Sequence, residues 1–363
     1  MTRPTTLRIF LTLLAATGTS ATGTSLSAGP LPQPPYELRF SHTLDGESGA
    51  IDTAFAVAAL GSGEARLFHH LDTGSSPGGA ATLRGARALL WDAPVSWWFG
   101  VLLHEAFGHG GRAREAGAST GVHMGHPWEG RASYASFDSA GLGVEDLLHV
   151  YVGGTEANTI AATLLSRRAA AGTRLRPIDL FFLASNRFVA SDYVLRTTPD
   201  PRRDPSGFFG EYGGGGDVAN YLGLLHELHG TGSGIAAAGV DGIVAREYRR
   251  LRRQAIWNAL DPAAWWALAS ALRQTARGDP DPPLPLPRLG TQRFLPVFSA
   301  EWTPNGGQTS IELVLSRAPA NGTGGPGPSP PRWVGLVARR GRGPSGSFGA
   351  LGASTAEFHP AGP

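Results

Sequence analysis

The sequence of 363 residues contains no cysteine and no lysine. The lack of cysteine excludes disulfides, thiol nucleophiles, zinc fingers and cysteine-ligated iron–sulfur clusters. Any bound metal must therefore be held by carboxylates and by some of the eleven histidines. All 31 basic residues are arginine, and 29 acidic residues nearly balance them, so the formal net charge is only +2. Because this charge is spread along the chain, the sequence argues against a nucleic-acid-binding protein.

Long apolar runs are also scarce. The chain begins with two arginines and a short apolar run, Ile9–Ala16, and small residues follow up to Ala28. This arrangement is typical of a secretory signal peptide, and the run is too short to span a bilayer. We therefore expect residues 1–28 to be a signal peptide, cleaved after Ala21 or Ala28, of a protein exported to the periplasm, the outer envelope or the medium. The alternative interpretation is an N-terminal core helix.

The rest of the chain predicts an α+β fold. Apolar periodicity indicates helices over residues 86–116, 144–171, 177–195, 217–229 and 240–277, with a break at Gly153–Gly154. A strand is expected at Tyr36–Ser41, a loop over residues 118–140, and strands after residue 279, two of them joined by an Asn305–Gly306 hairpin turn. We expect a mainly helical metal-binding domain at 29–278, a small antiparallel β appendage at 279–340 and a flexible tail at 341–363.

One segment carries the residues of a catalytic metal site. His104, Glu105 and His109 lie in an otherwise apolar helical pattern, Val101–Arg112. In the zinc-peptidase pattern H-E-x-x-H the two histidines share one helix face and the glutamate is the general base. Here the spacing is H-E-x-x-x-H, which places the second imidazole about 140° around a regular helix. Two distortions restore a common face: a π-bulge, or a helix that ends at Gly108 and turns back.

The letters H-E-A-F-G-H resemble the H-E-x-x-x-H motif of the TldD/PmbA-type metallopeptidases, and the flanking pattern is similar to the zinc helix of site-2-protease-like zincins. The resemblance is confined to this segment, and the cysteine ligand of the TldD type has no counterpart here. It implies a zincin-like core with one Zn²⁺ per chain, bound by His104 and His109, with Glu105 as the base. A buried, mutually satisfied His–Glu pair without metal is the alternative interpretation.

A catalytic zinc takes a third protein ligand, for which the sequence offers several candidates. Glu156, after the Gly–Gly break, is the first choice, His149 the second, and the loop pair His123 and His126 the third. The remaining candidates share one helix face: His226 and His229, near Glu227, either form a rival metal site or line the cleft. Tyr151, His226 and His229 are also the candidates for stabilising the transition state.

These residues predict an exported zinc-dependent peptidase or hydrolase that acts on a peptide or protein substrate. Histidine and carboxylate ligands also accept iron, manganese or cobalt, so the metal is not fixed by the sequence. The alternative is a non-enzymatic, envelope-associated binding or scaffolding protein with structural histidines. An arginine cluster between Arg246 and Arg253, close to Trp257, fits either a solvated helix face or an interfacial helix in peripheral contact with an anionic envelope membrane.

Overall fold

The computed structural model describes residues 46–73, 76–128, 133–196, 216–229, 242–277, 284–303, 305–317, 332–343 and 346–357. The predicted signal peptide and the strand expected at Tyr36–Ser41 lie outside the described residues. The described helices and strands belong to one compact unit.

The described part of the chain begins with helices. Helix α1 is Gly46–Thr73, and five further segments run without a break from Pro77 to Glu115. Ser76 caps the start of this run, where its hydroxyl accepts a hydrogen bond from the Gly79 N–H, and proline occupies the first helical position. The run alternates between α and π geometry: α2 is Pro77–Arg87, π1 is Ala88–Asp92, α3 is Ala93–Leu102, π2 is Leu103–His109 and α4 is Gly110–Glu115.

Two predictions about the next segments are wrong. The expected loop over residues 118–140 contains a hairpin of β1, Thr120–His123, and β2, Tyr134–Phe137. The expected break at Gly153–Gly154 does not exist, because α5 runs from Val144 to Ala170 without interruption. The remaining helices are α6, Pro177–Arg196; α7, Asp217–Leu228; α8, Gly242–Ala259; and α9, Pro262–Arg277.

The C-terminal part forms an antiparallel sheet in the order β3-β4-β5-β6-β7. Its strands are Arg288–Leu289, Gln292–Thr303, Gly306–Arg317, Arg332–Gly343 and Gly346–Glu357. Gly306 starts β5 at a φ of 118°, a conformation that favours glycine, as the predicted hairpin turn requires. Strand β7 and the end of β6 lie where a flexible tail is expected. Their small residues lack β propensity, but their backbone groups complete a long ladder with β6.

The sheet packs against the helices through two buried clusters. Leu295, Val297 and Val314 of the sheet contact Ala170 and Ala263 of α5 and α9. Trp302 of β4 joins a second cluster, in which Tyr221 of α7 stacks on it with ring centroids 5.6 Å apart. The chain therefore has the predicted α+β fold, a helical body with a C-terminal antiparallel sheet. No helix among the described segments is both long and apolar enough to cross a membrane.

Candidate metal centre

The π-helical turn π2 resolves the unusual spacing of the two histidines. The Gly110 N–H donates to the Glu105 carbonyl, five residues earlier, as a π-helix requires. The additional residue in the turn returns His109 to the face of His104. The two rings meet edge to face with centroids 4.7 Å apart, and their Nε2 atoms are 3.1 Å apart. Of the two predicted distortions, the π-bulge is the one observed.

A carboxylate from a distant helix completes the cluster. Asp217, the first residue of α7, places Oδ2 3.1 Å from His104 Nε2 and 3.2 Å from His109 Nε2. These three atoms form a nearly equilateral triangle whose corners are each about 1.8 Å from its centre, a spacing compatible with the bonds of roughly 2 Å that zinc makes with histidine and carboxylate ligands. Among the described residues this is the one group of three or more potential ligands that converges in this way.

Hydrogen bonds on the far side of each ring turn both Nε2 lone pairs inward. His104 Nδ1 is 2.7 Å from Asn158 Oδ1, and His109 Nδ1 is 2.7 Å from the Val150 carbonyl oxygen. Both partners are acceptors, since the Asn158 amide nitrogen donates to Gly100 O and to Asn186 Oδ1. Each Nδ1 therefore carries a proton, and each Nε2 is the ring atom directed at the cluster, available to a metal ion once it is deprotonated.

The electrostatics of the cluster favour a positive charge among its three members, which either a proton or a bound cation supplies. His104 and His109 are only 2% and 5% exposed. Burial is the largest effect on the pKa of His109 and lowers it, but Asp217, with smaller contributions from Glu105 and the Val150 carbonyl, raises the pKa on balance to about 9. Burial by itself would raise the pKa of Asp217, yet the two histidines hold it well below its usual range. Two nitrogen lone pairs and a carboxylate oxygen at 3 Å repel one another unless a proton or a metal ion lies between them.

Glycines allow π2 and α5 to approach closely enough to form the site. A Cβ at Gly154 would lie 2.5 Å from Nε2 of the His104 ring. A Cβ at Gly108 would lie 2.5 Å from the Gly154 Cα, and one at Gly153 would lie 2.6 Å from the Gly108 carbonyl oxygen. The Gly153–Gly154 pair therefore serves helix packing and does not interrupt α5.

Glu105 lies beside the ligands and is held by the hairpin. Its Oε2 accepts the Ala135 N–H of β2 at 2.8 Å, and the side chain is buried. Burial raises the pKa of Glu105, while the two histidines lower it and Asp217 raises it further. A carboxyl group with a raised pKa next to a metal site is suited to accept and release a proton.

The structure does not bring Glu156, the expected third ligand, to the cluster. Its Oε2 accepts hydrogen bonds from Arg112 Nε at 2.9 Å and Arg112 Nη2 at 2.6 Å. The reason is the direction of its side chain. Gly154 and Asn158 contact His104 one turn apart, and residue 156 lies about 200° around the helix from Gly154. Asp217 occupies the position that the sequence assigns to Glu156.

The other candidate residues lie around the cluster or away from it. His149 is exposed on α5, and His226 and His229 lie on α7 and at its end, outside the ligand group. His123 and His126 are exposed and stack on Tyr134 and against Trp128. Tyr151 is the exception, because Asp217 adds to the burial that raises its pKa, which places the phenol near the site.

Two residues of the site were missed by sequence reasoning. Asp217 follows a run of four glycines and begins a helix, where an acidic residue is ordinarily explained by its interaction with the helix dipole. It also lies 108 residues after His109, so no spacing pattern connects the two. The one sequence feature that could have pointed to Asp217 is its place at the start of the helix that contains the candidate His226. Tyr193 of α6 stacks on His104 with ring centroids 4.9 Å apart, and nothing in its sequence context indicates this contact.

Comparison with known proteins adds no family assignment. No family model matches the chain, and no curated protein and no solved structure is significantly similar to it. The resemblance of the His104–His109 segment to a metallopeptidase motif is therefore confined to that segment.

Proposed function

We propose that this chain is a metal-dependent hydrolase whose single metal ion is bound by His104, His109 and Asp217. The observation that carries the proposal is the triangle of two Nε2 atoms and one Oδ2 atom with sides of 3.1 to 3.2 Å. Three protein ligands with the fourth position left to water are typical of catalytic zinc, whereas structural zinc has four. Zinc is the metal we propose, one ion per chain; iron, manganese and cobalt accept the same ligands.

The proposed reaction is the hydrolysis of an amide bond in a peptide or protein. When bound, the metal would lower the pKa of a coordinated water and polarise the scissile carbonyl. Glu105 accepts a proton from the attacking water, whose oxygen bonds to the carbonyl carbon. The C–N bond then breaks, and Glu105 passes the proton to the leaving amine. Tyr151 is the candidate donor to the developing oxyanion because it lies near Asp217.

The ligand assignment is tested by the metal content of purified variants. We expect about one equivalent of zinc in the wild type, and loss of more than nine-tenths of it in Asp217→Ala and His104→Ala, because each removes one of three ligands. Glu156→Gln is the matched control, and it keeps the metal since Glu156 binds Arg112. Metal loss in Glu156→Gln with retention in Asp217→Ala would refute the assignment.

The catalytic role is tested separately with Glu105→Gln. This variant should retain the metal and lose at least a hundredfold in peptide hydrolysis, because the base is removed while the ligands stay. Hydrolysis is measured on a mixed peptide library by mass spectrometry. A wild-type protein that binds zinc but cleaves no peptide bond would favour the alternative of a metal-stabilised binding protein. Export, predicted from the N-terminal segment, stays a prediction.

A further inference from the structure

The C-terminal sheet exposes apolar side chains on one face. The side chains of cross-strand partners point to the same side of a sheet. The register pairs Leu313 with Leu336 and Leu315 with Val334. Ala338 of β6 is paired with Ile311 on one side and with Leu351 on the other. These six large side chains form what we call the outer face. Ile311, Val334, Leu336 and Leu351 are 43%, 39%, 48% and 88% exposed.

The opposite face of the sheet packs on helices α5 and α9. There, Glu312 accepts two hydrogen bonds from Arg167 of α5, Ser316 donates to the Ala170 carbonyl, and Val314 is fully buried. This body-facing side also carries the buried Leu295 and Val297, so the sheet has apolar side chains on both faces, and those of the outer face are left exposed. An exposed apolar patch of this kind is often an interaction site, and its partner has to be argued from the residues around it.

Arginines border the outer face. Helix α8 lies on the same side of the sheet, because its Trp257 stacks on Phe298, the cross-strand partner of Ile311, with ring centroids 4.3 Å apart. Arg250 of α8 donates to the Arg342 carbonyl of β6 at 3.2 Å. Helix α8 contains five arginines, and in β6 Arg340 and Arg342 lie on the same side of the strand as Leu336.

Area and charge together select the partner. Three strands about 4.8 Å apart, with outward residues about 6.8 Å apart, give an apolar area of roughly 300 Å². A standard protein interface takes about 800 Å² from each partner, of which more than half is apolar, so this patch is smaller than the apolar area that a second copy would bury. A nucleic acid would match the arginines but not the aliphatic centre. A flat anionic bilayer matches both, since aliphatic side chains enter the headgroup region while arginines contact lipid phosphates.

We propose that the outer face docks on an anionic membrane surface, with Leu336 and Leu351 inserted among the lipids and the arginines of α8 and β6 on their headgroups. The inference is independent of the metal centre. It also connects the arginine cluster of the sequence with the C-terminal strands in one surface.

The test is co-sedimentation of the full chain with vesicles of phosphatidylcholine containing one-third phosphatidylglycerol, against vesicles of phosphatidylcholine alone. We expect at least tenfold tighter binding to the anionic vesicles, weakened by 0.5 M NaCl. Leu351→Asp and the pair Arg253→Glu, Arg340→Glu should each lose at least tenfold. Leu90→Asp, which alters a leucine that is 67% exposed on π1, is the matched control and should bind like the wild type.

Several results would overturn the proposal. The N-terminal segment is identical in all variants, so equal binding by Leu351→Asp and wild type would assign any membrane affinity to another part of the chain. Failure of the wild type to bind anionic vesicles would exclude the proposal directly. A wild-type dimer in light scattering that Leu351→Asp converts to monomer, without vesicle binding, would identify the outer face as a self-association surface.

Discussion

Asn158 determines which nitrogen of His104 faces the metal centre. Its amide nitrogen is committed to Gly100 O and Asn186 Oδ1, and Asn186 is in turn anchored by a hydrogen bond to Phe182 O at 2.7 Å. The Asn158 oxygen is therefore presented to His104 Nδ1 and can only accept. The hydrogen bonds of the Asn158 and Asn186 side-chain amides therefore hold the His104 imidazole with its proton on Nδ1, so that Nε2 is the atom available to a metal ion.

Replacing Asn158 with leucine should weaken zinc binding by about 10- to 100-fold, because the tautomer and ring orientation are no longer fixed. Affinity is measured by competition with a chromogenic chelator. Asn158→Asp keeps the acceptor and should recover part of the affinity, which a merely structural role of the side chain would not explain. If Asn158→Leu binds zinc as tightly as the wild type, the amide chain does not position His104.

At this scale the sequence was informative about the histidines and uninformative about their partners. An apolar helix that contains His-Glu and a second histidine makes burial without a ligand costly, so His104, Glu105 and His109 could be selected. Asp217 could not, because no spacing rule connects residues 108 positions apart on separate helices.

At the scale of helices, the contact between π2 and α5 depends on the glycines. Gly154→Ala would place a methyl group 2.5 Å from the His104 ring, where the helix backbone on one side and Asn158 on the other leave no room. We expect this variant to lose zinc binding at least tenfold and to unfold at a lower temperature, by calorimetry. Gly63→Ala, in α1 with open space around it, should instead stabilise the fold by about 0.5–1 kcal/mol.

An unchanged zinc affinity in Gly154→Ala would show that α5 can move away from π2 without disturbing the ligands.

Sequence patterns place both elements correctly, since the helices begin and end close to where periodicity predicts. They misread Gly153–Gly154 as a break because glycine is unfavourable inside a helix, and close helix contact outweighs that propensity here. The hairpin β1–β2 was missed for a similar reason, since its strands are four residues long and lie in a glycine- and serine-rich stretch.

At the scale of the whole molecule, a buried carboxyl group makes stability depend on pH. Glu64 of α1 accepts a hydrogen bond from Trp91 Nε1, and Asp92, which binds Arg87 at 3.1 Å, lies nearby. Burial, with a smaller contribution from Asp92, raises the pKa of Glu64 to about 8. The folded chain therefore holds a proton that the unfolded chain releases near pH 4.5. The contribution of Glu64 to the free energy of unfolding is therefore fully present below pH 4.5, and it is lost as the pH rises from there through about 8.

Glu64→Gln, which keeps an oxygen acceptor for Trp91, should remove this dependence. We expect the two proteins to melt at similar temperatures at pH 5 and the variant to melt several degrees higher at pH 9, since about 1 kcal/mol shifts Tm by roughly 2–4 °C at this chain length. Differential scanning calorimetry across this range measures the effect. Glu47→Gln, an exposed carboxyl on the same helix, is the control and should follow the wild type. Parallel curves for Glu64→Gln and wild type would contradict the prediction.

The long separation of Asp217 from the histidines also sets an order of assembly during synthesis. His104 and His109 are synthesised first, and 108 further residues must be added before Asp217, the third ligand, is part of the chain. At about 5–20 residues per second this interval is roughly 5–20 seconds. During that time the nascent chain presents two ligands, a set that binds metal weakly and exchanges it readily. If the proposed ion binds, its stable capture would have to wait until α7 docks on the helical body, and metal loading would then report that this docking is complete.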